Sequence, residues 1–142
     1  VPRTLLEVED EGVLAHVQDR DACQQVLSHW QETLRPAFRF QLLGKTLFYG
    51  PGAHQLLQLT QELGSLLDAC RCMGISYTKG RKIIANIEQN MGCPVLERTR
   101  GGKTGGASSV TPTGQALIGN YNEFCKAGEA YLAELFCQFF PS

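Results

Sequence analysis

Residues 64–92 read GSLLDACRCMGISYTKGRKIIANIEQNMG. Glycines at 64, 74 and 92 separate two stretches of helical spacing, and Ser65 and Ser76 follow closely on the first two. Serine before a helix accepts a hydrogen bond from an otherwise orphaned amide, and glycine just past a helix end tolerates the left-handed backbone found there. The pattern predicts a short helix over LLDACRCM and a longer one over YTKGRKIIANIEQNM, joined by the tight glycine-containing turn of a helix-turn-helix. Wound at about 100° per residue, Gly80, Ile83, Ile84, Ile87 and Met91 form one inward stripe. Thr78 and Lys82 face the opposite way, flanked by Lys79 and Arg81. Hydroxyl and cationic side chains thus crowd the first two turns. A recognition helix has this distribution, because its N-terminal end enters the major groove while its apolar face holds it to the domain. An amphipathic helix with a cationic solvent face has it too, and the helix alone does not separate the two.

Upstream, leucines at 56, 57, 59 and 63 mark a helix over 53–63, ended by Gly64. Before it, Phe38, Phe40 and Leu42 alternate with Arg39 and Gln41, the period of a half-buried strand. Gly44-Lys45 reads as a two-residue turn, TLFY as the returning strand, and Gly50-Pro51-Gly52 as a break. Further back, residues 21–33 suggest a short helix with Asp21 as its cap. Downstream, PVLERTR is short and β-compatible, and a glycine loop and SSVT follow. Thr111 then caps a long helix over about 112–138, with Pro112 in its first position. Strand, glycine loop, strand and helix make a β-hairpin with an exposed tip, a wing. The last helix carries Leu117, Ile118, Tyr121, Phe124, Cys125, Tyr131, Leu132, Leu135, Phe136 and Phe139, a wider apolar surface than one core face requires. A second copy of the chain is the simplest cover for it, and packing against the N-terminal extension is the alternative.

The formal net charge of −1 hides an asymmetry. Residues 1–33 hold two basic and seven acidic side chains, whereas residues 71–103 hold seven basic against two acidic. A local excess of this kind, containing the glycine loop, suits a polyanion. GGKTGG resembles a phosphate-binding loop only superficially: Glu97 stands where the Walker pattern needs its first glycine, and Gly105-Gly106 are poor helix starters after Lys103-Thr104. The sequence offers no paired carboxylates, G-x-S-x-G or Cys-His arrangement, so no catalytic residue is expected. Six cysteines without a CxxC pair read as free thiols in a reducing compartment, and no metal site or cofactor is expected. The absence of a signal pattern or a long apolar run makes a cytoplasmic location, away from membranes, the expectation.

The run from Phe38 through the T-P-x-G start of the last helix resembles the winged helix-turn-helix of the molybdate-responsive, ModE-type transcription regulators, relatives of the LysR-type DNA-binding domain. GISY, the C-P-x-L-x-R run before the loop, the glycine-rich wing and T-P-x-G carry the resemblance, which covers about residues 37–125. It implies that Ser76, Tyr77, Thr78, Lys79, Arg81 and Lys82 begin the recognition helix, that Arg98, Arg100 and Lys103 lie in the wing, and that terminal helices dimerise. Thr104, Ser108 and Ser109 add hydroxyls that could meet phosphate oxygens. The chain departs from the family pattern at Cys70, where alanine is usual, and at Arg81, where tryptophan is common. These changes bear on operator choice. Regulators of this type also carry a molybdate-binding domain that this sequence does not include, so molybdate sensing does not carry over. Over residues 10–30, DEGVLAHVQDRDACQQVLSHW more weakly resembles the end of a MobA-like molybdenum-cofactor nucleotidyltransferase, with His16, Gln18 and Arg20 departing. That resemblance, and the lack of an initiator methionine, would fit a fragment of a longer fusion.

The expectation is therefore a mainly α protein with small β-hairpins: a winged helix-turn-helix with a long C-terminal dimerisation helix. Residues 1–34 form an acidic extension, 35–112 the winged domain and 113–142 the dimer helix. The expected function is sequence-specific binding of double-stranded DNA by a homodimeric transcription regulator linked to molybdenum metabolism. The alternative is a non-DNA-binding dimerisation or regulatory domain attached to a molybdenum-cofactor nucleotidyltransferase.

Overall fold

In chain order the elements are β1 (Leu42–Leu43), β2 (Leu47–Tyr49), α1 (Pro51–Leu63), α2 (Leu66–Met73), α3 (Tyr77–Met91), β3 (Leu96–Thr99), β4 (Ala107–Val110) and α4 (Pro112–Phe139). They come from a computed structural model that describes residues 33–99 and 107–141. The protein is mainly helical, with two antiparallel two-stranded sheets and a long C-terminal helix, as the sequence predicts. The helix expected over 21–33 lies, apart from its last residue, outside the described residues. So does the segment compared with a nucleotidyltransferase. Two compact units divide the chain, one over 38–129 and one combining 1–37 with 130–142.

In the 38–129 unit the helix boundaries follow from local chemistry. Gly64, Gly74 and Gly92 all take the left-handed conformation, at φ 67°, 69° and 76°. Ser65 Oγ accepts from the Asp68 amide, and Ser76 Oγ accepts from the Lys79 amide, each at 3.1 Å. Between α2 and α3 the Gly74 and Ile75 amides return to the carbonyls of Arg71 and Cys70, closing the turn. At Gly80 a side chain has no space: a Cβ there would run into Cys70 Sγ, so α3 rests directly on α2. Leu56, Leu57, Leu66, Ala69, Cys70, Ile84, Ile87, Val95, Leu117 and Ile118 fill the core beneath.

The N-terminal hairpin departs from expectation. β1 is only two residues long, its pairing shifts between Leu42 and Leu43, and the turn takes three residues, Gly44 to Thr46. Residues 38–41 do not extend the ladder because they are engaged elsewhere. The Phe40 carbonyl accepts the Tyr121 hydroxyl at 2.7 Å, and the Phe40 ring packs edge-on against Phe124 and fills the space left by Gly128. Nor does Gly50-Pro51-Gly52 act as a break. Gly50 is the N-cap of α1 and Pro51 its first residue, where the missing proline N–H costs nothing.

Two polar networks complete this unit. His54 is buried, with Nδ1 accepting the Tyr49 hydroxyl at 2.6 Å and Nε2–H donating to Asn122 Oδ1 at 2.8 Å. A neutral imidazole has one donor and one acceptor, so both ring nitrogens are satisfied, and burial holds its pKa below the ordinary histidine value. On α3, Asn86 and Asn90 clamp the hairpin turn through the Thr46 amide and hydroxyl and the Leu47 carbonyl.

In the other unit, the described residues include the last turns of α4. There the Phe136 and Phe140 rings stack at 4.7 Å, while Tyr131 and Phe139 are exposed.

Candidate nucleic-acid interface

The cationic side chains named by the sequence divide between α3 and β3. Ser76 is exposed, and its hydroxyl is already used to cap α3. Thr78 and Lys82 stand exposed on the outward ridge of the helix, in line with Ala85 and Gln89 further along. Lys79 is also exposed but lies on one flank, lining a groove of about 340 Å³ with Arg39, Met73, Ile75, Ile83 and Asn86. Arg81 lies on the other flank with Tyr77, beside the β3–β4 hairpin. Arg98 is exposed on β3. Arg100, Lys103 and Thr104 lie outside the described residues.

The hairpin pairs Leu96 with Val110, Glu97 with Ser109, Arg98 with Ser108 and Thr99 with Ala107. Strand alternation therefore separates the two serines. Ser109 is exposed, but Ser108 is buried, and the expectation that both could meet phosphate is corrected for Ser108. Arg98, cross-strand from Ser108, shares the helix-facing side of the hairpin. There it lines a shallow pocket with Leu66, Arg81, Ile84 and Glu88.

This hairpin is tied to the helices at its root. Glu88 Oε2 on α3 accepts the Val95 amide at 2.8 Å and the Leu96 amide at 3.4 Å. The Ser108 amide donates to the Gly64 carbonyl at 2.8 Å, joining β4 to the turn between α1 and α2. At the exit, Thr111 Oγ1 accepts the Gly114 amide at 3.1 Å and donates to the Pro94 carbonyl at 2.7 Å. A Cβ at Gly114 would stand 2.6 Å from the Val95 carbonyl oxygen, so the T-P-x-G sequence combines a cap with a close approach.

A contact further along the strand joins the two cationic elements. The Arg98 guanidinium donates to the Tyr77 hydroxyl at 2.5 Å. Its central carbon lies 5.8 Å from the Tyr77 ring centroid, which with that hydrogen bond puts it off the tip of the ring, beyond the hydroxyl. Arg81, one turn along α3, brings its guanidinium carbon to 5.9 Å from the same centroid. Among the described residues the ion pairs are Asp68–Arg71 and Glu123–Lys126, so Lys79, Arg81, Lys82 and Arg98 have no carboxylate partner there. The arrangement leaves exposed cations on a helix N-terminal half and on an adjoining strand, with no acid neutralising them. Such a surface can bind phosphates.

Sequence reasoning missed Glu88, Asn86 and Asn90, which orient the two hairpins on α3. An acid on the flank of a cationic helix carries no local signal that its partners are backbone amides of a following strand. Among the described residues no cluster of histidine, cysteine, aspartate and glutamate could hold a metal ion, and no helix is long and apolar enough to cross a membrane.

No family model matches the chain. It is 33% identical over 67 residues to the molybdenum-pterin-binding protein MopA of Rhodobacter capsulatus, covering 47% of this chain and 25% of that protein. Its similarity to MopB of the same organism is 33% over 84 residues, covering 59% of this chain and 30% of MopB. To the transcriptional regulator ModE of Haemophilus influenzae it is 30% identical over 80 residues, covering 56% of this chain and 31% of ModE. The chain thus spans a quarter to a third of the length of these curated relatives, and over about half of its own length it is related in sequence to the ModE and Mop proteins.

Proposed function

We propose that this chain is a sequence-specific, dimeric DNA-binding module of a transcription regulator linked to molybdenum metabolism. In this reading α3 enters the major groove with Thr78 and Lys82 foremost, and the β3–β4 hairpin is a wing along the backbone. Ser76, Tyr77, Lys79 and Arg81 on α3 and Arg98, Arg100, Lys103 and Thr104 on the wing complete the surface. The observation that carries it is the convergence of exposed, carboxylate-free cations from α3 and β3 on one side of the helix-turn-helix. The similarity to a transcriptional regulator over this region supports the same reading. The exposed Phe124, Tyr131 and Phe139 of α4 supply the apolar surface for a second copy. The module acts by binding alone, in the cytoplasm, with no catalytic step.

Fluorescence anisotropy with a labelled duplex, over a salt series, tests the proposal. Submicromolar binding is expected at low ionic strength, weakening about 10³- to 10⁵-fold between 50 and 200 mM salt if six to ten phosphates are contacted. A folded dimer that binds no duplex at low salt refutes it.

A further inference from the structure

The Tyr77 side chain stands where the two cationic elements meet. Its ring is half-buried, it belongs to the first turn of α3, and its hydroxyl accepts a hydrogen bond from Arg98 of the hairpin. Arg81 approaches the same ring from the next helical turn. Two guanidinium ions repel one another and, unconstrained, would separate into solvent. Here both stay beside one aromatic ring, and among the described residues neither has a carboxylate within salt-bridge distance. A tyrosine hydroxyl accepting from one arginine while its ring electrons attract another offsets that repulsion without supplying negative charge. The local charge of two therefore remains available to an anion.

We infer that Tyr77 is a positioning residue that holds Arg81 and Arg98 as one preformed clamp for a single backbone phosphate, linking recognition helix and wing, rather than a base-reading contact. The inference rests on the DNA-binding reading and refines it in two respects. Tyr77 leaves the set of direct DNA contacts. Arg81, whose place in the helix alone suggests base recognition, becomes a phosphate ligand because its flank faces the hairpin. Arginine suits this task, since its fork of donors matches phosphate geometry.

Geometry also explains why the hydroxyl matters separately from the ring. Arg98 sits off the tip of the ring, so its restraint is the hydrogen bond, whereas Arg81 needs only the aromatic body. Tyr77→Phe should release Arg98 and spare Arg81.

The test uses the full 142-residue chain. Affinity is measured for a duplex selected in vitro from a random pool and for a shuffled duplex of the same length. The variants are wild type, Y77F, R98A, R81A and the Y77F/R98A pair, each at several salt concentrations. Y77F is expected to weaken both duplexes alike, by roughly 3- to 10-fold, the scale of ordering one arginine on binding. R98A should weaken both and lower the salt slope by about one. R81A should do the same, without changing the ratio between the duplexes. The double variant should bind no worse than R98A alone. Guanidinium resonances in the free protein give a readout that needs no DNA: Arg98 should show restricted rotation in wild type and lose it in Y77F.

Three results overturn the inference while leaving the DNA reading intact: a changed preference between duplexes in Y77F, losses that multiply in the double variant, or an Arg98 guanidinium equally mobile in both proteins. Failure of the wild type to bind either duplex instead removes the DNA reading, and the clamp with it.

Discussion

Replacing Thr111 by valine should loosen the joint between the β3–β4 hairpin and α4. The two side chains are nearly isosteric, so the substitution removes chemistry and little volume. Thr111 is buried, its hydroxyl accepts the Gly114 amide, and it donates to the Pro94 carbonyl at the far root of the hairpin. Loss of an N-cap costs about 1 kcal/mol. Loss of the hydrogen bond to a part-buried carbonyl adds about 1 kcal/mol. The extra buried methyl of valine returns a fraction of this, so T111V should lose about 1–2 kcal/mol in total. Urea unfolding followed by far-ultraviolet circular dichroism measures the difference. Amide hydrogen exchange locates it, with Gly114 protection expected to fall more than that of the α1 and α2 amides. Thr111→Ser keeps both hydrogen bonds and should retain the Gly114 protection. A T111V protein within 0.5 kcal/mol of wild type, its Gly114 amide still protected, would refute the reasoning that this hydroxyl fastens hairpin to helix.

Further outcomes follow from other sites. Because burial lowers the His54 pKa in the folded state, its contribution is complete above the unfolded value of about 6.5 and is lost as pH falls through the folded value. Urea midpoints should therefore drop as the solution is acidified below about pH 6.5, and H54Q should flatten that part of the profile. Gly80→Ala should destabilise by about 1–3 kcal/mol, since the new methyl meets Cys70 Sγ, and C70A should relieve part of that loss in the double variant. Lys82→Ala should cost about 1–3 kcal/mol on a selected duplex and much less on a shuffled one, measured by anisotropy, because Lys82 stands on the outward ridge of α3.

The features legible in the sequence are those set within a few residues. Ser65, Ser76 and Thr111 announce helix starts through hydrogen bonds to amides three positions on, and Gly64, Gly74 and Gly92 announce ends through a backbone conformation. What escaped depends on partners distant in sequence. The alternation at 38–42 suggests a longer strand, yet the Phe40 carbonyl is taken by Tyr121, 81 residues away. Gly80 and Gly114 can be recognised as glycines, but the atoms excluding a side chain, Cys70 Sγ and the Val95 carbonyl, cannot. Cationic residues at the candidate site were similarly visible as a list. Their separation into an outward ridge and two flanks, with Lys79 facing one hairpin and Arg81 the other, required the fold.

That separation bears on how helix and hairpin could act together. A cation on an independently moving loop must be ordered on binding, at a cost of about 0.5–1.5 kcal/mol for each side chain immobilised. The described part of the β3–β4 hairpin has much of this freedom removed beforehand. Glu88 fixes the entry to β3, Gly64 holds the Ser108 amide, Thr111 fixes the exit, and Tyr77 meets Arg98 on the strand between. Three of these ties end on the helix-turn-helix itself or on the turn that leads into it. Displacing the hairpin would therefore break contacts to α3, so strand and helix present their charges in one fixed relation. A duplex meeting this face would encounter a surface already arranged, and the spacing between ridge and strand, more than the number of cations, would set which backbone path fits.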